Sequence, residues 1–338
     1  MRSKSFLMFF SSLLLVLVLV AGCAAPTTPA APTPKPVERV RVPMGYIPNV
    51  QYAPFYVAVD RGYFAAEGIE LEFDYSFETD GMKLVGAGKL PFTLASGEQV
   101  PLARAQGLPV VYVLQWWQKF PVVVVSLAEK NITQPADLAG RRIGVPIFGG
   151  ASYTGWKGLV WKAGLDESTM TVSDIGYTQV AALTQGKVDA AVCYANNEPI
   201  QLRRMGKNVN VISIADYTNL VSNGLVTNEE TIAKRPELVR AMLRAFLRGL
   251  RDTIDKPDEA FTTCKKFIEG LGKDANTDAA QRDVLAASIE LWKAPKLGAS
   301  DPAAWQATVA VLKQMKLLTS DVPADKLYTN RFVDELTQ

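Results

Sequence analysis

The amino-acid sequence predicts an α/β fold with mostly parallel sheets flanked by helices. Three observations predict it. Short apolar or alternating runs suited to strands recur between Val40 and Thr227, separated by stretches with helical periodicity. Gly, Pro, Asn and Ser cluster where strand gives way to helix. From Asn228 onward the chain reads almost wholly as helix.

The elements follow in order. Arg2 and Lys4 precede an apolar run from Phe6 to Val20, broken only by Ser11 and Ser12. That run is short for a membrane span and has the layout of a secretory leader. It ends in Leu19-Val20-Ala21-Gly22-Cys23, small residues before a cysteine, which resembles the lipobox of bacterial lipoproteins. The resemblance implies a signal peptide over residues 1–22, cleavage before Cys23, and acylation (palmitate among the chains) of its sulfur and new amine. Several acyl chains give stable anchoring to the outer face of the cell membrane. A plain leader with an incidental cysteine is the alternative. Residues 23–37 hold Pro26, Pro29, Pro32, Pro34 and Pro36, which favour an extended tether. At about 3.1 Å per residue it holds a domain roughly 40 Å from the membrane.

Val40 to Met44 is a short strand, and Pro48 stops it. Asn49 suits a cap, its side-chain oxygen accepting a free backbone N–H. Tyr52, Phe55, Tyr56, Val59 and Tyr63 then fall on one face of a helix that cannot begin much before Tyr52, because Pro54 belongs in a first turn. Gly68 closes this helix. Ile69 to Tyr75 alternates as a half-buried strand does, Met82 to Gly88 is helical, and Pro91 to Ala95 is a strand. Ser96-Gly97-Glu98 is a second strand-to-helix turn. Val110 to Leu114 is a strand ending in Gln115-Trp116-Trp117-Gln118, and Phe120 to Leu127 is a nearly continuous apolar strand. A unit from Gly140 to Val145 leads into Phe148-Gly149-Gly150-Ala151-Ser152-Tyr153, where two glycines suit either close approach to a ligand or an ordinary loop. Val180 to Gly186 is a helix and Val188 to Tyr194 a strand, followed by the turn Ala195 to Pro199. Val209 to Ile214 and Asn219 to Thr227 are extended. Helices then run over 236–254, 257–269, 279–292 and 302–315, with Val239, Leu243, Phe246 and Leu250 on a core-facing stripe.

Composition narrows the function. Lys and Arg total 36 against 34 Asp and Glu, and losing Arg2 and Lys4 with the leader makes the two equal. A neutral chain has no electrostatic footprint for nucleic acid. The 338 residues contain no histidine, which removes Ser-His-Asp and Cys-His constellations and His-containing zinc sites. After Cys23 only Cys193 and Cys264 remain, far apart, so a metal site is not expected, while a single disulfide between them stays open. There is no Walker A loop and no Gly-x-Gly-x-x-Gly opening a helix. No cofactor is expected, and a binding protein is favoured over an enzyme.

Tyr46-Ile47-Pro48-Asn49, Phe55-Tyr56-Val57-Ala58 and Asp60-Arg61-Gly62-Tyr63-Phe64 together resemble the start of extracytoplasmic solute-binding proteins of ABC importers. The group is the one that includes the sulfonate, nitrate and thiamine-pyrimidine binders. Asp137 to Val145 and Leu183 to Ala190 agree with it. The resemblance implies a two-lobed periplasmic-binding-protein-like fold (type II) with a helical C-terminal region. Lobe one is expected over 38–122 and 225–335 and lobe two over 123–224, with crossings near Pro121 to Ser126 and Leu220 to Val226. The ligand would lie between the lobes, and the closed form would dock on a permease and its ATPase. One enzyme of pyrimidine biosynthesis also resembles this fold, but it needs a histidine and a cysteine cluster that this chain lacks. A lipid-anchored sensor is a further alternative.

The strand-to-helix turns then supply the candidate ligand-binding residues Tyr46, Asn49, Tyr52, Ser96, Glu98, Trp116, Trp117, Ser152, Tyr153, Tyr194, Asn196 and Glu198. The set is aromatic and otherwise neutral or acidic. An anion would call for cationic donors, which these turns lack. A flat, neutral heteroaromatic fits better: rings stack on Trp and Tyr, and Asn, Ser or Glu read polar edges. At least one of Trp116 and Trp117 is expected to face the cleft, the alternative being one in the core and the other on the surface. Glu98 and Glu198 are either ligand contacts or solvated carboxylates. Within the family, Gly45 to Tyr56 looks most like the riboflavin-binding members. The thiamine-precursor binders more often carry Trp where Tyr46 stands, so riboflavin ranks first and an aminopyrimidine second.

Overall fold

The computed structural model describes residues 37–336. The leader, Cys23 and most of the tether lie outside the described residues. Strand β1 (Glu38–Gly45) is followed by a 3-10 turn, Val50–Tyr52, and helices α1 (Ala53–Asp60) and α2 (Tyr63–Ala66). Asn49 caps that turn, its Oδ1 accepting from the Gln51 N–H at 3.0 Å. The single helical face expected from Tyr52 to Tyr63 is divided, because α1 ends at Asp60 and Gly62 turns the chain. Tyr63 therefore sits at the margin of the core, partly buried against it. It lies beneath the Arg248 guanidinium and donates to Asp252.

β2 (Ile69–Phe77), α3 (Glu78–Gly86), β3 (Thr93–Ser96), α4 (Gln99–Ala105) and β4 (Val110–Gln115) come next. Then follow β5 (Val122–Leu127), β6 (Arg142–Val145), α5 (Gly150–Lys162), β7 (Thr171–Asp174), α6 (Gln179–Thr184), β8 (Ala190–Tyr194), α7 (Glu198–Arg204) and β9 (Val209–Ser213). β10 (Asn223–Asn228) leads to α8 (Glu229–Lys234), α9 (Pro236–Asp255), α10 (Pro257–Cys264), α11 (Ala275–Trp292), α12 (Pro302–Gln314) and α13 (Arg331–Leu336). β7 and α13 have no counterpart among the elements expected from sequence. α3 starts four residues before the expected Met82, and α10 stops at Cys264, short of residue 269.

The strands form three sheets, ordered β1-β2, β3-β10-β4 and β7-β6-β8-β5-β9. The α/β class holds, but the sheets are mixed. β1–β2, β6–β7 and β6–β8 are parallel, whereas β5 and β10 run antiparallel to both their neighbours. The reason lies in the connections. β5 and β10 are the strands entered directly from the other sheet, through residues 116–121 and 214–222, without the crossover helix that makes neighbours parallel.

Four apolar cores hold these layers. α1, α9 and α11 bury the largest, and α9 delivers Val239, Leu243, Phe246 and Leu250 to it, as their spacing predicts. β5, β6, β8 and α5 share a second around Trp156. The C-terminal helices serve both halves: α12 places Trp305 against the three-stranded sheet and Val311 in the core of the five-stranded one. Cys193 and Cys264 are free thiols buried in different cores, so the open question of a disulfide is answered. Burial pushes the Cys264 thiol up to about 12.

Candidate functional site

Strand ends and helix starts converge on one cavity of about 570 Å³, inside the roughly 300–1,000 Å³ range of small-molecule sites. Its lining comes from the ends of β1, β4 and β8 and from the starts of α3, α4, α5 and α7. This is where α/β folds gather free N–H groups and converging side chains.

Nine of the twelve sequence candidates line it: Tyr46, Tyr52, Glu98, Trp116, Trp117, Ser152, Tyr153, Tyr194 and Glu198. Asn49, Ser96 and Asn196 do not. Asn49 is occupied as a cap. Asn196 is fully buried and donates to Ser288 Oγ of α11 at 2.8 Å. Ser96 is fully buried behind the cavity wall, between two carboxyl groups.

The aromatic wall is continuous with the core. Trp116 and Trp117 are only 2% and 3% exposed, and their rings lie 5.6 Å apart. Trp116 is backed by Phe55, Phe246 and Trp292, and Trp117 by Trp292. Both tryptophans therefore line the cavity and both belong to the core, and neither is a surface residue. Tyr52 tilts against Trp116 and donates to the Met44 carbonyl at 2.8 Å. Tyr46 meets the exposed ring of Tyr177 edge-on at 5.3 Å, bridging the β1 turn and the β7–α6 loop. Burial, reinforced by the charge of Glu198, pushes the Tyr46 hydroxyl up to about 12, so it enters the site as a neutral donor.

The opposite side is acidic and amide-bearing. Glu78, at the start of α3, accepts from Asn223 Nδ2 at 2.9 Å and from Ser96 N–H and Oγ at 3.1 and 2.6 Å. Ser96 Oγ also lies 2.6 Å from Glu98 Oε1. Burial, then the neighbouring Glu78 charge, pushes Glu98 up to about 8, and burial raises Glu78 too. Asn223 in turn accepts from the Tyr194 hydroxyl at 3.1 Å, so the network runs from β8 to α4. Glu198, at the first position of α7, accepts from the Tyr194 N–H at 2.9 Å and Asn197 Nδ2 at 3.1 Å; burial raises it. Gly45 has φ +82°, and a Cβ there would meet Glu78 Cγ at 2.6 Å; glycine lets this carboxylate pack against β1.

A third side is the start of α5, with Ser152 and Tyr153 in its first turn behind Gly149 and Gly150. Gly150 takes the left-handed conformation, φ +66°, that starts the helix here. Among the described lysines and arginines, only Lys83 reaches the lining, and it leans toward Asp80 at 3.6 Å. Lys157 is paired with Glu167 away from the cavity. Among the described residues there is no group of three or more His, Cys, Asp or Glu arranged to hold a metal.

Among the lining residues missed from sequence are Glu78, Asn223 and Tyr177. Phe77-Glu78-Thr79-Asp80 reads locally as a polar connector, though acidic residues in a first helical turn were an available signal. Nothing local marks Asn223, whose Glu78 partner is 145 residues away.

The aliphatic sulphonate binding protein SsuA of Escherichia coli superposes with a TM-score of 0.70, covering 87% of this chain and 99% of that one, at 14% identity. Fold and cavity position together place the structure in the class of periplasmic-binding-protein folds. Residues 49–260 match the NMT1/THI5 like family, and the chain belongs to it. The riboflavin-binding protein RibY of Chloroflexus aurantiacus is 40% identical, over 95% of this chain and 96% of its own. The formylaminopyrimidine-binding protein of Halalkalibacterium halodurans is 29% identical, over 94% and 97%. More distant relatives carry an enzyme's name: a 4-amino-5-hydroxymethyl-2-methylpyrimidine phosphate synthase of Legionella pneumophila is 22% identical over 88% of this chain and 93% of its own.

Proposed function

We propose that the chain is the solute-binding component of an ABC importer for a flat heteroaromatic vitamin, with riboflavin as the ligand. The observation that carries this is the pairing of an indole wall, Trp116 and Trp117, with a hydrogen-bonding side made of Glu78, Asn223 and Glu98 in one cavity. An aromatic ligand stacks on the first and is oriented by the second. The 40% identity to a protein named riboflavin-binding supports the ligand. A thiamine-precursor aminopyrimidine is the second reading, favoured by the 29% identical formylaminopyrimidine-binding protein.

The function is binding without chemistry. Residues 38–122 and 225–335 act as one lobe and 123–224 as the other, and ligand stabilises their closed arrangement. The contacts Tyr46–Tyr177 and Trp117–Tyr194, which join segments of the two lobes, are of the kind a closed form needs. A signal peptide over 1–22 and an acylated Cys23 hold the protein on the extracytoplasmic face of the membrane, where it delivers ligand to a permease.

The test is the absorbance spectrum and mass of whatever co-purifies with the form beginning after Cys23, then titration with riboflavin. Yellow protein, or saturable quenching of riboflavin fluorescence that weakens in Trp117→Ala, is the expected result. Tight binding of an aminopyrimidine with none of riboflavin would replace the ligand. Binding of neither would overturn the heteroaromatic reading.

A further inference from the structure

The Glu78–Ser96–Glu98 bridge poses a proton-counting problem. Ser96 Oγ lies 2.6 Å from a carboxyl oxygen of each glutamate. A hydroxyl has one hydrogen and can donate to only one of them. At 2.6 Å the other contact needs a hydrogen of its own, so one carboxyl group must carry a proton.

The surroundings say which. Glu78 receives three donors: the Ser96 N–H, the Ser96 hydroxyl and Asn223 Nδ2. Glu98 is 2% exposed and, apart from Ser96, has Gln99 Nε2 at 3.2 Å. Hydrogen bonds of that number favour the ionised form at Glu78, and burial beside that charge favours the neutral form at Glu98. The ionisable groups facing the pair from other elements are Tyr112 of β4, Tyr194 of β8, Tyr52 and Tyr177, all kept neutral by burial and by this negative charge. On α3 itself, Asp80 and Lys83 turn to each other. Among the described residues no lysine or arginine forms an ion pair with Glu78 or Glu98.

An ionised carboxylate has about four lone-pair sites, and three at Glu78 are taken. The remaining one is on Oε1, which carries only the Asn223 bond, and Glu78 is a half-buried residue of the cavity lining. Asn223 lines the cavity as well, and one of its two amide hydrogens is used on Glu78. An acceptor and a donor therefore stand side by side.

We infer that Glu98 holds the bridge proton so that Glu78 stays ionised, and that Glu78 with Asn223 selects ligands whose ring carries an N–H beside a carbonyl or ring-nitrogen acceptor. The hydrogen placement balances: Glu98 donates to Ser96 Oγ, Ser96 donates to Glu78, and the ligand N–H takes the last Glu78 site while Asn223 donates to the neighbouring ligand acceptor. This inference rests on the cavity being the ligand site, and deepens that reading by naming the edge it recognises.

The test has two arms. In the ligand-free protein, 13C carboxyl NMR on glutamate-labelled samples at pH 7 should show one protonated glutamate, lost in Glu98→Gln. In binding, riboflavin is compared with its derivative methylated on the ring imide nitrogen, which keeps the flat ring and removes the N–H. Methylation is expected to weaken binding roughly 10- to 100-fold, the range of a hydrogen bond to a charged group, and Glu78→Gln should erase most of that difference. Two ionised glutamates in the bridge, or equal binding of the two flavins, would overturn the inference. If riboflavin does not bind, the ligand identity falls separately. The aminopyrimidine and its N-methylated derivative then replace the two flavins: weakening on methylation supports the inference, and equal binding overturns it.

Discussion

On one side of the cavity, Trp116 and Trp117 are the inner face of the largest core, locked edge and face against Phe55, Phe246 and Trp292. On the other, Glu78, Ser96, Glu98, Asn223 and Tyr194 form a chain of hydrogen bonds drawn from four separate segments. The first side is held by packing, which is non-directional and tolerant of what lies in the cavity. The second is held by directional groups whose partners are counted one by one, and a single missing hydrogen changes the charge state. One cavity thus joins a wall held by packing to a wall held by hydrogen bonds. On the proposed reading, shape comes with the fold, and selectivity with a few buried polar atoms.

Substitutions should break this contrast in graded ways. Trp116→Ala removes a fully packed indole and should cost about 3–5 kcal/mol of stability, read from the urea midpoint; an unchanged midpoint would mean the wall is not part of the core. Glu98 should instead show in the pH dependence. Its raised value, about 8 against an ordinary 4.5, means that the folded chain keeps a proton the unfolded chain releases. Its contribution to stability is full below about 4.5 and is lost as pH rises toward 8, at up to about 1.4 kcal/mol per pH unit. Melting curves from pH 5 to 8 should therefore fall more steeply in the native protein than in Glu98→Gln; parallel curves would remove the proton from the bridge.

The third side tests backbone alone. Gly150→Ala finds open space around its Cβ but keeps φ +66°, so it should cost about 1–2 kcal/mol through strain in the left-handed region, with the α5 turn and ligand affinity affected together. Smallest is Tyr194→Phe, which deletes the hydroxyl that steadies Asn223. A loss of about 0.5–1.5 kcal/mol is expected in stability, and ligand discrimination by the imide edge should drop with it. A Tyr194→Phe protein that discriminates as before would place Asn223 outside the reading of the ligand.

Local pattern by itself determined much of this protein. Alternation and helical spacing located nearly every strand between Val40 and Thr227, the α9 stripe, and the turns that carry Tyr46, Trp116, Ser152 and Glu198. These depend on neighbours within a few residues, so periodicity and turn residues reveal them. Tertiary structure alone decided the rest. Sheet direction turned mixed because β5 and β10 are reached from another sheet. Ser96 and Asn196, both sequence candidates for ligand contact, instead lie outside the cavity lining and bond to Glu78 and Ser288, 18 and 92 residues away. Glu78 gained its role from Ser96, 18 residues on, and from Asn223, 145 residues on. A carboxylate's charge and contacts are set by whatever the folded chain brings within about 3–6 Å, and no local spacing encodes that meeting.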